Sequence, residues 1–405
     1  MAFSSDGKTI AVTRRSNRFN ENIFLVDLAT RVSEQLTQSE EDIVGLAWHP
    51  DGSKLIYGTQ KADVRQGYIL DMASKQRFDL NIEGFSYPAF ASKSGQLFFQ
   101  QRPEKYHIAS LPLNQAVASS PFPVVESEFN HHHPDYSTAS KKMVYVSNES
   151  GFYELYSANS DGSERRQLTD LKTTIRYPRW SHDGHKIAFM APLIVAPLIE
   201  STDAKTEQAS STDKIYILAL ASKKIEMIPS PFKQHNHPTW SFDDSAVITA
   251  IYDHEFADLY QINIADGTVQ RLTFDGGRFG MMTSPTTMLY TRIKNGLWQK
   301  EISSKAPPLN KMSGQLFKTL YAWDYRAADG NGKGGVYFRQ NEQDYHQIAF
   351  YDFNQQQLLP LVRLPKRAFE NYGSLSMVPE HSKLLFTGSH FPQADIKMLE
   401  HPLLR

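Results

Sequence analysis

One motif recurs at a nearly fixed spacing, and that recurrence limits what this chain can fold into. Residues 178–190 read PRWSHDGHKIAFM, and residues 238–250 read PTWSFDDSAVITA. Aligned on the aromatic before the polar turn, the series runs Phe3, Trp48, Phe90, Tyr136, Trp180 and Trp240. Subtracting residue numbers gives steps of 45, 42, 46, 44 and 60. Pro88, Pro134, Pro178 and Pro238 each stand two places ahead of one of these aromatics. Self-similarity at a period of some 40–45 residues marks a unit that buries its apolar face only against its neighbours.

Each unit reads as strands. After the turn comes a short apolar run, as in KTIAV, KLIYG, QLFFQ, KMVYV and KIAFM, with weaker copies in MLYTR, GVYFR and KLLFTG. A second run follows (NIFLVDL, YILDM, KIYILAL, DLYQINI), and a third often ends in Leu-Thr, as in EQLTQ, RQLTD and QRLTF. Short apolar or alternating runs broken by Gly, Asp and Ser are strands joined by tight turns, and Asp-Gly favours hairpins because both positions tolerate positive φ. The second strand recurs nine times, beginning near residues 8, 54, 96, 142, 186, 246, 287, 335 and 383. The expected fold is all-β, a β-propeller of eight or nine four-stranded blades forming one domain over residues 1–405. Its blades start near 1, 45, 87, 133, 177, 237, 279, 323 and 372, with an insertion at 191–213. Closing such a ring requires a terminal strand to complete another unit's sheet. Trp48, Trp180 and Trp240 are expected to pack between neighbouring blades, each with a partner for its ring nitrogen.

Composition narrows the function classes. The 43 basic and 44 acidic residues cancel, leaving no electrostatic footprint for nucleic acid, so direct nucleic-acid binding by this segment is not expected. Cysteine is absent, which excludes disulfides and thiolate chemistry. No stretch reaches the roughly 18 apolar residues of a membrane span, and MAFSSDGKTIAV lacks a signal-peptide pattern. Because the sequence opens inside a repeat, further sequence is expected upstream, and any membrane link would run through it. There is no G-x-S-x-G elbow, P-loop, H-E-x-x-H or helix-turn-helix pattern. GGRFG at 276–280 fits a turn.

The pattern P-x-W-S-x-D-G-x-x-I-A-F, then I-Y, then L-T, resembles the WD40-like propeller repeat of TolB-type proteins. The units starting near 1, 45, 133, 177 and 237 carry it well and the others loosely. The resemblance implies a propeller but leaves its task open, since one fold serves many functions. In organisation the chain most resembles membrane-anchored winged-helix transcription regulators whose periplasmic sensing module is such a propeller. The expected function is therefore a non-catalytic protein- or ligand-binding propeller, the periplasmic sensory module of such a regulator. The alternative is a metal-dependent enzyme similar to oligogalacturonate lyases.

The histidines are the candidate chemistry. His131, His132 and His133 precede Pro134, and His235 and His237 flank Asn236 before Pro238. In a four-strand meander the loop entering the first strand opens on the channel face. His133, His237, Tyr87 and Tyr177, each immediately before a proline, are thus expected at one channel mouth, where a protein partner or small ligand would bind. Three readings stand open for the histidines: ordinary polar loop residues, a pH-responsive surface, or ligands to Zn²⁺ or Mn²⁺. No cofactor is otherwise expected. Similarity to the lyases implies Gln234, His235 and His237 as the metal positions. The insertion APLIVAPLIESTDAKTEQASSTD carries an apolar half, and Leu193, Ile194, Val195 and Leu198 are expected to contact a partner.

Overall fold

The computed structural model describes residues 1–405 except 18–19, 39–40, 62–63, 92–93, 103–104, 114–119, 193–212, 253–256, 293–295, 305, 328–333, 366–367, 370–372, 391–393 and 405. Leu193, Ile194, Val195 and Leu198 lie outside the described residues. Among those described, the chain is all-β and multi-bladed, and its helical turns are two short 3-10 segments, Pro379–His381 and Pro402–Leu404. Nine antiparallel sheets form, eight of four strands and one of three. Their second strands begin at Thr9, Lys54, Leu97, Lys142, Lys186, Ala246, Thr287, Gly335 and Lys383, within one residue of the positions read from sequence.

The W-S-x-D-G turn has a mechanical basis. In the unit at 177, the Ser181 hydroxyl donates to Asp183 Oδ1 at 2.6 Å, and that same oxygen accepts the backbone N–H of His185 at 2.9 Å. Ser4 and Asp6 repeat the arrangement, as do Ser241 and Asp243. The hydrogen bonds satisfy backbone groups that the chain reversal would otherwise orphan. The fourth turn residue is left-handed, at φ 72° for Gly184 and φ 57° for Asp244.

Packing then follows from the strands. Ala246–Ile251 and Asn236–Trp240 are buried along their whole length, as expected of strands covered on both faces. Ile217, Ile228, Trp240, Val247 and Ile262 interdigitate between two successive sheets, and Ile248, Leu259, Met288 and Tyr290 between the next two. Each such fully buried side chain stabilises by about 1.5–3 kcal/mol. Two of the three repeat tryptophans find the expected partner for the ring nitrogen. Trp240 Nε1 donates back to the Arg179 carbonyl of the preceding sheet at 3.0 Å, and Trp48 Nε1 to the Ala2 carbonyl at 3.0 Å. Trp180 departs from the expectation: among the described residues its buried Nε1 has no hydrogen-bond partner, and the residue is held instead through its backbone N–H, which donates to Asp135.

The sequence reading places all nine units in one domain. The chain divides into two compact units, one within residues 1–105 and 391–405, the other within 106–197 and 212–390. In the smaller unit, the strand Asp395–Leu399 adds to Leu97–Gln101, which pairs with Phe85–Phe90. In the larger, six four-stranded sheets follow one another around a closed ring. Inner strands His131–Ser137, Arg176–Trp180, Asn236–Trp240 and Phe279–Met282 pack in series. Phe279 meets Trp323 edge-on at 5.3 Å, and Trp323–Arg326 packs on Leu375–Val378, which returns to His131–Ser137.

Closure of that ring departs from one sheet per repeat. The sixth sheet runs Phe122–Val125, Lys105–Pro112, Lys383–His390, Leu375–Val378. Its outer pair comes from the third repeat and its inner pair from the ninth. The third repeat's inner pair is in turn completed by Asp395–Leu399 from the ninth. This exchange gives backbone partners to strand edges that would otherwise be bare.

Candidate functional site

Four inner strands share an unusual backbone. Tyr87, His133, Tyr177 and His237, each followed by proline, have φ of 50, 53, 51 and 49°. Strand pairing slips at each, between Phe98 and Gln100, His132 and Asp135, Arg176 and Arg179, and Asn236 and Thr239. These are β-bulges, which re-aim a side chain out of the sheet's alternation. A left-handed residue other than glycine costs on the order of 1 kcal/mol or more, so the surrounding pairing must hold it there. In the second sheet, Gly45 occupies the matching place, three residues before Trp48, where a Cβ would come within 2.7 Å of Tyr87 Cα.

The bulges bring three of the four residues together. His133, Tyr177 and His237 line one cleft of the larger unit with Pro178, Arg179, Pro238, Phe279, Tyr321 and Ser374. The rings run in series: His133 to Tyr177 at 4.2 Å, Tyr177 to His237 at 3.9 Å, and His237 onto Tyr321 at 3.6 Å with an interplanar angle of 4°. His132 extends the row at 5.6 Å from His133, and its Nε2 lies 2.9 Å from the Tyr153 hydroxyl. The cavity left between these rings is ≈ 10 Å³, room for one water at most. Tyr87 shares the backbone conformation but stands in the smaller unit, 62% exposed.

The flanking histidines are tied into the sheets. His131 Nε2 lies 2.8 Å from Ser127 Oγ, and burial pulls its pKa down to about 3. His235 Nδ1 faces the Asp213 carbonyl at 3.3 Å, which fixes the proton there. Its Nε2 therefore accepts from the Ser230 hydroxyl at 2.7 Å, and burial lowers its pKa to about 4. Gln234 is half-buried beside it.

Below the rings the strand register aligns a polar set that no local sequence pattern marks. Asp135, Arg179 and Asp324 pair with Val144, Ala188 and Tyr337, each the third residue of its blade's second strand. Asp135 Oδ1 accepts from Arg179 Nη1 at 2.8 Å, and Oδ2 from the Trp180 backbone N–H at 2.7 Å. Asp324 Oδ2 accepts from the Met377 N–H at 2.7 Å. Burial pushes its carboxyl up to about 7, against the pull of that hydrogen bond and of Arg179. Phe279, Tyr321 and Ser374 escape sequence reading because no histidine-proline or tyrosine-proline pair announces them. For two of them the register itself is the signal, since Phe279 and Ser374 sit two residues before Met281 and Ser376, which pair with Leu289 and Leu385.

Residues 1–183 match the family profile described as the TolB beta propeller domain, so that stretch carries a TolB-type propeller repeat. A protein named Protein TolB homolog, from Chlorobium luteolum, is 27% identical over 135 residues, 33% of this chain and 27% of that one. The match thus spans about a quarter of that relative's length. Among solved structures, TolB from Acinetobacter baumannii aligns over 89% of this chain and 82% of its own, at 13% identity and a TM-score of 0.46. An oligogalacturonate lyase in complex with manganese aligns over 72% of this chain and 84% of its own, at 16% identity and a TM-score of 0.32. Among the described residues no helix is long and apolar enough to cross a membrane.

Proposed function

We propose that this TolB-like β-propeller is a non-catalytic binding module that receives a protein partner or ligand on the ring-lined mouth formed by His133, Tyr177, His237 and Tyr321. In the finer reading it serves as the periplasmic sensory module of a membrane-anchored transcription regulator. The observation that carries the binding reading is the stacked row itself. Its rings pack against one another around only ≈ 10 Å³ and His133 and His237 are buried, so recognition falls to the part-exposed Tyr177 and Tyr321 rather than to a deep pocket. Aromatic and imidazole rings suit this task, giving large contact area at low entropic cost. The regulator reading rests on the resemblance of the repeats alone.

A metal-dependent enzyme using Gln234, His235 and His237 is less favoured, because the Nε2 lone pair of His235 already accepts the Ser230 hydroxyl. Photo-cross-linking in cells tests the binding reading. A benzoylphenylalanine at Tyr321 should give a discrete adduct that the same probe at exposed Phe274 does not. No adduct from Tyr321, or equal adducts from both, would defeat it. Alkaline phosphatase fused at the C-terminus should be active if the module is periplasmic, and inactivity would remove that assignment.

A further inference from the structure

The seam sheet that closes the larger unit carries a second cluster, unrelated to the ring-lined mouth. His107 lies on Lys105–Pro112 and His390 ends Lys383–His390, and these two strands are neighbours in that sheet although far apart in sequence. Their rings stack at 4.6 Å with an interplanar angle of 26°. Glu126 follows the outermost strand and puts Oε1 3.5 Å from His390 Nε2. One ligand atom from each of the three lies within 4.8 Å of the others. Gly388, two residues before His390 on the same strand face, makes room for the set, since a Cβ there would collide with His107 Nε2.

The chemistry of the three side chains converges on a cation. His107 is only 8% exposed, and its Nδ1 has no hydrogen-bond partner among the described residues. Neutral nitrogen is what a metal ligand must supply. The His390 and Glu126 side chains are 65% and 51% exposed, which leaves an approach from solvent. Two imidazoles and one carboxylate are the three-ligand set of an open zinc site. Tetrahedral coordination at about 2.0–2.2 Å would draw the ligand atoms to roughly 3.3–3.5 Å from one another. The two exposed side chains have the space to make that small movement.

We propose that His107, Glu126 and His390 bind one divalent transition-metal ion of the zinc class, clipping together the two chain segments that close the six-sheet ring. An ion that binds the folded chain and not the unfolded one stabilises the fold by RT ln(1 + [ion]/Kd), so stability keeps rising with free ion. It supplies no reaction and is independent of the mouth.

Titration of the untagged, chelator-stripped full chain with Zn²⁺ by calorimetry, and with Co²⁺ by visible absorption, tests the assignment. One ion per chain is expected, with Co²⁺ bands of low-symmetry coordination and a melting temperature that rises with Zn²⁺. His390→Ala and Glu126→Gln change exposed side chains and should each weaken binding at least about tenfold while the chain stays folded. His237→Ala should leave the one-to-one binding intact. Absence of binding up to about 100 μM Zn²⁺, or binding unchanged in His390→Ala, overturns the proposal. Binding lost in His237→Ala but kept in His390→Ala would move the site to the mouth and overturn it equally.

Discussion

Replacing Asp324 by asparagine should stabilise the protein, and more so as pH rises. Its carboxyl titrates near 3.8 when free and is pushed up to about 7 in the folded chain. Between those values the folded protein holds a proton that the unfolded chain has released. Unfolding therefore releases a proton, and stability falls as pH climbs through that window. Roughly three pKa units at about 1.4 kcal/mol each set a ceiling near 4 kcal/mol. Asp324 is only partly buried, so solvent screens the cost of its charge and about half that ceiling is the better expectation. In Asp324→Asn the amide oxygen can still accept the Met377 N–H, and the Asp135–Arg179 pair stays whole. Calorimetric melting at pH 5 and pH 8 should show the difference between variant and parent widening by about 1–2 kcal/mol, or roughly 2–5 °C for a unit of this size. A difference that stays constant with pH, or shrinks as pH rises, would refute the assignment of a protonated carboxyl at this position.

Other outcomes follow from the same contacts. Trp240→Phe keeps most of the apolar ring but removes the hydrogen bond to the Arg179 carbonyl, so urea unfolding should show a loss of about 1 kcal/mol. In Gly388→Ala the new methyl must displace the buried His107 ring, and a loss of about 1–3 kcal/mol is expected by the same measurement. His235 works in the opposite sense to Asp324. Its pKa is lowered to about 4, so the unfolded chain binds a proton near pH 6.5 that the folded chain refuses until about pH 4, and stability falls as pH drops across that window. His235→Gln should flatten this acid limb by about 2 kcal/mol in urea unfolding at pH 4.5 relative to pH 7, and an unchanged limb would show that His235 is charged in the folded state.

The mouth shows how far sequence reading reaches into a site. His133, Tyr177 and His237 are legible because each precedes a proline at a fixed distance from the repeat aromatic, and the bulge that turns them inward is a local backbone event. Tyr321 and Phe279 complete the row without that signal, and Asp135, Arg179 and Asp324 meet only because three separate blades share one register.

The repeat by itself determined the strands and their turns, and left eight or nine blades, because the period, the Ser-Asp turn chemistry and the apolar alternation act over a few residues. Which strand completes which sheet was decided only in three dimensions. Backbone hydrogen bonds look alike at every blade edge, so nothing local tells Lys105–Pro112 to pair with Lys383–His390 rather than with its own repeat. That choice belongs to ring closure, where pairing the bare edges outweighs keeping each repeat intact, and it is what brings His107 to His390.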